Sequence, residues 1–401
     1  MLNNKEYLNR LYQSDKPLII YKTDKGYDIY TDFSKRIIIN KKNLKYFLNT
    51  QSKSKKSKIE ELNCYVGFFG YKLLCENIGI KFPKQRSKNF HSGVFYKPQT
   101  KISIGKKIII KSIKPNFRNI SINTKKYLQL NKKFNLNLSL KQYSKIFNDF
   151  SKNIKQGKTY QIKIAQTYSK KGNINSIDLF WKLMKMNESP ESFLIREKDY
   201  NIVSCSPETL ILKKDNTIRT KPIAGTLRKR KQLNKNKALT FFRRNEKETK
   251  EHNMIVDMER SDLSRVCIPG TVKIDKEKYV EEYRHLFHYV TTISGSLLKG
   301  MTIKNIIKSM MPGGSVIGCP KVRTLELLNQ QEKENRNIFT GSFGYIKFNK
   351  DMRFNIIIRS ILNYKNTSEI SAASGVVLDS AAKKEFNENF IKAKSLLELF
   401  K

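Results

Sequence analysis

The segment Met311-Pro312-Gly313-Gly314-Ser315-Val316-Ile317-Gly318-Cys319-Pro320-Lys321-Val322-Arg323 constrains the fold more than any other stretch of this chain. Three glycines and a serine fall within residues 313–318. The backbone there can turn inward and present bare N–H groups. Pro320 stands where a helix would begin, because proline suits the first helical position. Val322, Leu325 and Leu328 then recur at near-helical spacing, with Lys321 and Arg323 in the first turn. A glycine turn that feeds a helix start is a place to hold an anion. It is equally an ordinary turn before a surface helix, and by itself the pattern does not separate the two.

The chain has 401 residues, of which 39% are hydrophobic and 11% aromatic. That is enough for a large core, in one big domain or two interlocked ones, and it excludes a disordered chain. The formal charge is +44, from 79 basic and 35 acidic residues. Such an excess suits a polyanionic partner. The lysines, however, run along the whole chain, and no basic arm gathers them. This argues against nucleic acid as the partner and leaves a charge-driven nucleic-acid-binding protein as a remote alternative. Cys64, Cys75, Cys205, Cys267 and Cys319 show no metal or redox spacing, and His91, His252, His285 and His288 form no metal motif. The N-terminus lacks an apolar signal core, and apolar runs such as Ile108 to Ile110 are far too short to span a membrane. A cytoplasmic protein with no membrane contact is expected.

Residues 1–136 read as short strands, such as Pro17 to Tyr21, Arg36 to Ile39 and Cys64 to Tyr71, with Asn131 to Asn137 as a connector into residues 137–401. A helix follows: Ser139 can cap it, Tyr143, Ile146, Phe147, Phe150 and Ile154 form its apolar stripe, and Gly157 suits its stop. Thr159 to Tyr168 reads as a strand with Gln161, Lys163, Ala165 and Thr167 on one face and Ile162 and Ile164 on the other. The remainder mixes strands and helices without a βαβ rhythm.

Several segments carry chemistry-bearing residues. Glu208 follows Ser206-Pro207 at an apolar strand end, either aimed into a cleft or solvated in a turn. In Lys221-Pro222-Ile223-Ala224-Gly225-Thr226, Gly225 allows close backbone approach and Thr226 offers a hydroxyl, or the segment is simply a hairpin end. Glu251 shares a helical stripe with Ile255, Met258 and Asp262. A carboxylate there is costly unless it is metal-bound or paired, for example to Arg260 or Arg265. Glu385 and Glu388 share a face near the C-terminus and have the spacing for Mg²⁺, or are surface residues. Arg359 ends a very apolar strand, a position favoured if it forks onto a carboxylate.

In order and spacing these segments resemble the chorismate-utilising enzymes. The likeness runs from about Leu140 to the C-terminus and rests on Gln161 to Gln166, Ser206-Pro207-Glu208, Pro222 to Thr226, Glu251 to Asp257, His288 to Ile293, the Pro-Gly-Gly-Ser segment, Phe354 to Arg359 and Gly375 to Glu388; Gly67-Phe68-Phe69-Gly70-Tyr71 adds an N-terminal strand. The resemblance implies an α+β fold: two large antiparallel β-sheets packed together, with helices outside and the active site between the sheets. It implies Mg²⁺ on Glu251 and Glu388 with Glu385 nearby. Arg359, Tyr345 and the backbone around Gly375 would hold a substrate carboxylate. Glu208 would be the general acid, and Thr226, His288 and Lys321 would line the substrate. Gly313, Gly314 and Ser315 would form a pocket wall, with Gly225 and Gln161 also at the substrate.

Gln161 stands where members that add water resemble one another in carrying lysine, and glutamine cannot be that base. The implied nucleophile is ammonia, as in aminodeoxychorismate synthase component I and anthranilate synthase component I. Pro-Gly-Gly-Ser, Phe-Asn-Ile-Ile-Ile-Arg and Gln-Ile-Lys-Ile-Ala-Gln look like the aminodeoxychorismate type. Against this, Ala224 replaces a lysine many of that type carry, which leaves the anthranilate route as the alternative. Ser261 and Ala373-Ser374 also depart from the family pattern. The chain shows no glutaminase segment, so a separate glutamine amidotransferase subunit is expected to supply ammonia for chorismate.

Overall fold

A computed structural model describes residues 3–50, 54–82, 90–122, 133–230, 232–283 and 286–400. His285, and Asn131 and Lys132 of the expected connector, lie outside the described residues.

Side-chain alternation builds the architecture. In strand Leu18–Thr23, Ile19 and Tyr21 face one way and Leu18 and Ile20 the other. Ile19 and Tyr21 join Phe193, Ile195, Ile202 and Leu362 of the same sheet, and these meet Val66, Phe68 and Phe343 of a second sheet. Leu18 and Ile20 instead pack with Leu194, Val203, Ile361 and Ile370 beneath helices Asn4–Gln13, Ser176–Asn187 and Ala382–Leu397. The far face of the second sheet, with Phe69, Ile346 and Phe354, lies under helices Leu44–Thr50, Glu246–Ser264 and Ile303–Met310. Two sheets therefore stack face to face with helices outside, the α+β arrangement expected from sequence.

All recorded strand pairings are antiparallel. The first sheet runs from Gln161–Lys171 through Thr367–Val376, Ser360–Tyr364, Tyr200–Ser206, Glu191–Arg196 and Leu18–Thr23 to Gly26–Ile38. The second runs from Gly93–Ile104 through Cys64–Phe69, Ser342–Lys347, Met352–Asn355, Thr209–Lys214 and Thr217–Lys221 to Leu286–Ser296. Strands Lys273–Glu282 and Ile223–Arg228 flank Leu286–Ser296. Gly26–Ile38 and Gly93–Ile104 pair with each other and join the two sheets at a corner. Their register shifts between Phe33 and Lys35, beside Asp32 at φ 53°. Aspartate tolerates this left-handed conformation better than most residues. Its buried carboxylate is held by Lys16 at 2.6 Å, Lys114 at 2.9 Å and Thr100 at 2.6 Å.

The helix read from Ser139 runs Leu140–Lys155, with Ser139 and Gln142 forming a capping box and Tyr143, Phe147, Phe150 and Ile154 buried. Gly157 follows at φ 70°. The expected connector contains a short strand, Asn135–Leu136, paired with Ser169 and Tyr168. Nothing marks so brief a strand in local sequence.

A buried carboxylate fastens the sheets together. Glu191 is 0% exposed, in the first sheet. Arg353 of the second sheet ion-pairs with its Oε1 at 2.7 Å, Thr209 donates to the same oxygen, and Tyr21 donates to Oε2 at 2.5 Å. Glu191→Ala would strand the Arg353 guanidinium. We expect a loss of about 3–5 kcal/mol in urea unfolding, as for other broken buried pairs. A loss below about 1 kcal/mol would assign the fastening to packing alone.

Candidate active site

Two of the chain's crossings between the sheets lie side by side. Ser206-Pro207-Glu208 leads from the first sheet into the second, and Ile356 to Arg359 leads back. Ser206 Oγ donates to the Ile356 carbonyl at 2.5 Å, and the Ile356 N–H donates to the Glu208 carbonyl at 3.1 Å. The Cys205 N–H donates to the Arg359 carbonyl at 3.1 Å. Arg359 itself sits at φ 51°, seldom adopted outside glycine. Glu208 and Arg359 are thereby fixed between the sheets, far apart in sequence and adjacent in space.

Arg359 meets Thr226, whose Oγ1 accepts from Nη2 at 3.4 Å and lies 3.0 Å from His288 Nδ1. Thr226 and His288 are cross-strand partners, with a bulge between Ala224 and Thr226 and Gly225 at φ 76°. Burial pulls the His288 pKa down to about 3, so the imidazole is neutral. Arg359 Nη1 is buried without a hydrogen-bond partner, and among the described residues no carboxylate lies within 4.0 Å of the guanidinium. His288 Nε2 is also buried without a partner.

Glu208 stands in the middle, feeling Lys163 on one side and Arg359 on the other. Burial pushes its carboxyl up to about 7, against an ordinary 4.5. Ser315 Oγ donates to its Oε1 at 2.7 Å. The glycines before Ser315 make that contact possible. A Cβ on Gly314 would fall 2.1 Å from Met258 Sδ, and one on Gly313 2.6 Å from Ile356 Cδ1. The segment is not an open anion cradle: two of its N–H groups close its own turn, Val316 to Gly313 and Ile317 to Gly314.

The far end of the site is carboxylate. Gln161 and Lys163 lie on one strand face, as alternation predicts, and both donate to Glu251 Oε1, at 3.0 and 2.8 Å. Gly375 is needed there, because a Cβ would fall 2.6 Å from Lys163 Nζ and 2.7 Å from Gln161 Nε2. The Lys163 ammonium holds the Glu251 carboxyl down to about 2. Glu388 is ionised too: burial would raise its pKa, and Lys392, 2.7 Å away, outweighs burial and lowers it. Among the described residues no three His, Cys, Asp or Glu side chains group to hold a metal. Two ionised carboxylates still fit Mg²⁺, which takes one or two and fills its shell with water and substrate oxygens.

Two expected placements need correction. Tyr345 does not approach Arg359; its ring lies 6.3 Å from Tyr21 in the inter-sheet core, beside Arg353. Strand alternation turned it to that face. Lys321 does not line an open pocket. Its ammonium pairs with buried Asp262 and donates to the Ser309 and Met310 carbonyls at 2.9 and 3.3 Å, which uses all three of its donors. Glu385, expected near Glu251 and Glu388, is 2% exposed, accepts from Ser380 at 3.1 Å, and acts electrostatically on Lys163. Sequence reading also passed over Glu259. It lies next to Met258 on the Glu251 stripe, buried, accepting from Thr220 at 3.1 Å, with its pKa raised by burial and by Asp262 to about 8. Its place on the stripe was the available signal.

Comparison with known proteins gives this geometry a family. The chorismate binding enzyme model matches residues 9–398, and the chain belongs to that family. It is 36% identical over 241 residues to aminodeoxychorismate synthase component 1 of Bacillus subtilis, covering 60% of this chain and 51% of that one. It is 34% identical over 267 residues to anthranilate synthase component 1 of Mycolicibacterium smegmatis, covering 65% and 51%. The chain thus spans about half the length of the curated relatives it matches. Among solved structures, anthranilate synthase component I from Streptococcus pneumoniae superposes with a TM-score of 0.76 at 25% identity, covering 95% of this chain and 90% of that one. The menaquinone-specific isochorismate synthase of Escherichia coli shares the fold, with a TM-score of 0.76 at 16% identity over 98% and 91%.

The raised Glu208 pKa has a thermodynamic signature. A carboxyl that is easier to protonate when folded binds more protons in the native state between its ordinary 4.5 and about 7. Its contribution to stability therefore falls as pH rises through that window. Relative to Glu208→Gln, the wild type should lose on the order of 3 kcal/mol across it. Parallel urea melts at several pH values would measure this, and identical pH slopes for the two proteins would refute the buried-acid assignment.

Proposed function

We propose that this protein aminates chorismate to 4-amino-4-deoxychorismate, using ammonia from a separate glutamine amidotransferase subunit. The observation that carries this reading is Arg359: a half-buried guanidinium whose Nη1 is sealed from solvent without a hydrogen-bond partner, with no carboxylate within 4.0 Å among the described residues. A cation with a buried, unbonded donor calls for an anionic ligand. Chorismate is a dicarboxylate with an allylic hydroxyl, and the site has a group for each feature. Arg359, seated against Thr226, binds one carboxylate. Glu208, which holds a proton near neutrality, gives it to the departing hydroxyl. Neutral His288 orients Thr226 without adding charge. Glu251 and Glu388 would hold Mg²⁺, which when bound neutralises the second carboxylate.

Ammonia is favoured over water because Gln161 is a neutral amide bonded to Glu251 and cannot act as a base. Anthranilate formation is the second reading, and Ala224 favours it. Its methyl packs with Ile255, Met258 and Cys319, so that position offers no nucleophile for a covalent route to C4.

Product analysis separates these. Purified protein with chorismate, Mg²⁺ and saturating ammonia should yield a compound that the matching lyase converts to p-aminobenzoate. Fluorescent anthranilate would replace the first reading with the second, and folded protein that consumes no chorismate would sink both. Arg359→Met should raise KM at least about tenfold. Glu208→Gln should lower kcat by about 10²–10⁴. At saturating ammonia, the wild-type rate should fall as pH passes about 7 and Glu208 loses its proton.

A further inference from the structure

We propose that Lys163 is a tethered cation: it occupies the carboxylate end of the site in the metal-free protein and competes with a divalent ion for Glu251. The inference rests on the metal reading above and concerns how that ion is admitted. Lys163 Nζ lies 2.8 Å from Glu251 Oε1, with its side chain 9% exposed. The fields of Glu388 and Glu385 also act on it. Glu388, the other carboxylate, has its own ammonium in Lys392 at 2.7 Å, 39% exposed. Each carboxylate thus already carries a counter-ion, and the four groups sum to zero charge. An exposed pair such as Lys392–Glu388 is screened and easily opened. The Lys163 pair is shielded, on a strand, and clamped by Gln161 on the same oxygen. Gly375 keeps clear the space beside Nζ.

The charge balance has a consequence. A divalent ion alone would add +2 to these two balanced pairs, and the substrate carboxylate it receives would offset part of that charge. Metal and substrate therefore bind as a couple, and the metal alone binds weakly. The ammonium also keeps the carboxylates from repelling one another before either arrives.

The test is Mn²⁺ binding to the intact protein without substrate, followed by electron paramagnetic resonance. Lys163→Met keeps the stem and removes the charge; it should bind Mn²⁺ at least about tenfold more tightly than wild type. Lys163→Arg should match wild type, and Glu251→Gln should lose binding. Adding chorismate without ammonia should tighten Mn²⁺ binding in wild type by a larger factor than in Lys163→Met. Lys163→Gln serves if the methionine variant does not fold by circular dichroism. Unchanged or weaker Mn²⁺ binding in the charge-removing variant, with binding still lost in Glu251→Gln, overturns the tethered cation alone. Wild-type binding in Glu251→Gln, or no binding in any variant, overturns the metal reading and this inference together.

Discussion

The crossings at Ser206 to Glu208 and at Ile356 to Arg359 are joined by hydrogen bonds, and the site depends on them. Ser206 reaches the Ile356 carbonyl, Ile356 reaches the Glu208 carbonyl, and Cys205 reaches the Arg359 carbonyl. Backbone groups that leave a sheet must find partners elsewhere. Here each crossing supplies them to the other. The result is rigid, irregular backbone at the centre of the molecule, from which a carboxyl and a guanidinium are held between two packed sheets. Their separation in sequence, 208 against 359, is the cost of such a site: it exists only after both sheets have formed.

Environment then sorts the charges. Three acids of the same chemistry behave in three ways. Glu251, with an ammonium at 2.8 Å, is ionised at every physiological pH. Glu208, with a hydroxyl as its close partner and full burial, titrates near neutrality. Glu259, buried beside Asp262, is pushed higher still. Opposite charge dominates at Glu251 and desolvation at Glu208, and at Glu259 a like charge adds to the larger effect of burial. A proton-donating group beside a permanently ionised one is what acid catalysis on a dianionic substrate requires.

Local pattern made much of this legible. Alternation along 161–164 correctly put Gln161 and Lys163 on one face, where both reach Glu251, and the helical stripe put Ile255 and Met258 in one cluster. The capped helix after Ser139 followed from spacing and cap chemistry. What failed was pairing across the fold. Lys321 was read as facing substrate because its partner, Asp262, lies 59 positions away and no local rule links the two. Tyr345 was expected beside Arg359 and lies instead by Tyr21 and Arg353 on the inter-sheet face, because alternation sets a side chain's face and not which partner it meets across the sheets. The glycine segment was open to two readings, an anion-holding turn or an ordinary one. Its glycines are required by Met258 and Ile356 pressing on the backbone, a packing constraint that composition does not show.

Two small departures from reactive chemistry narrow what the site can accept. Gln161 has no basic lone pair to take a proton from water. Ala224 presents a methyl to Ile255 and Met258, where a longer side chain would have to find another path. Lys163 is an amine close by, but its proton is held: burial would lower its pKa, and Glu251 outweighs burial and raises it. No group at these three positions can therefore deprotonate water or attack carbon while the Glu251 contact lasts. A reactant nucleophilic enough to attack without first losing a proton would escape that restriction, and neutral ammonia is more nucleophilic than water. The same logic explains why the pocket can keep its acid and its cation without a base. In the proposed reaction Glu208 would need only to protonate the leaving oxygen, and a nucleophile that enters neutral would pass the proton it later loses to solvent.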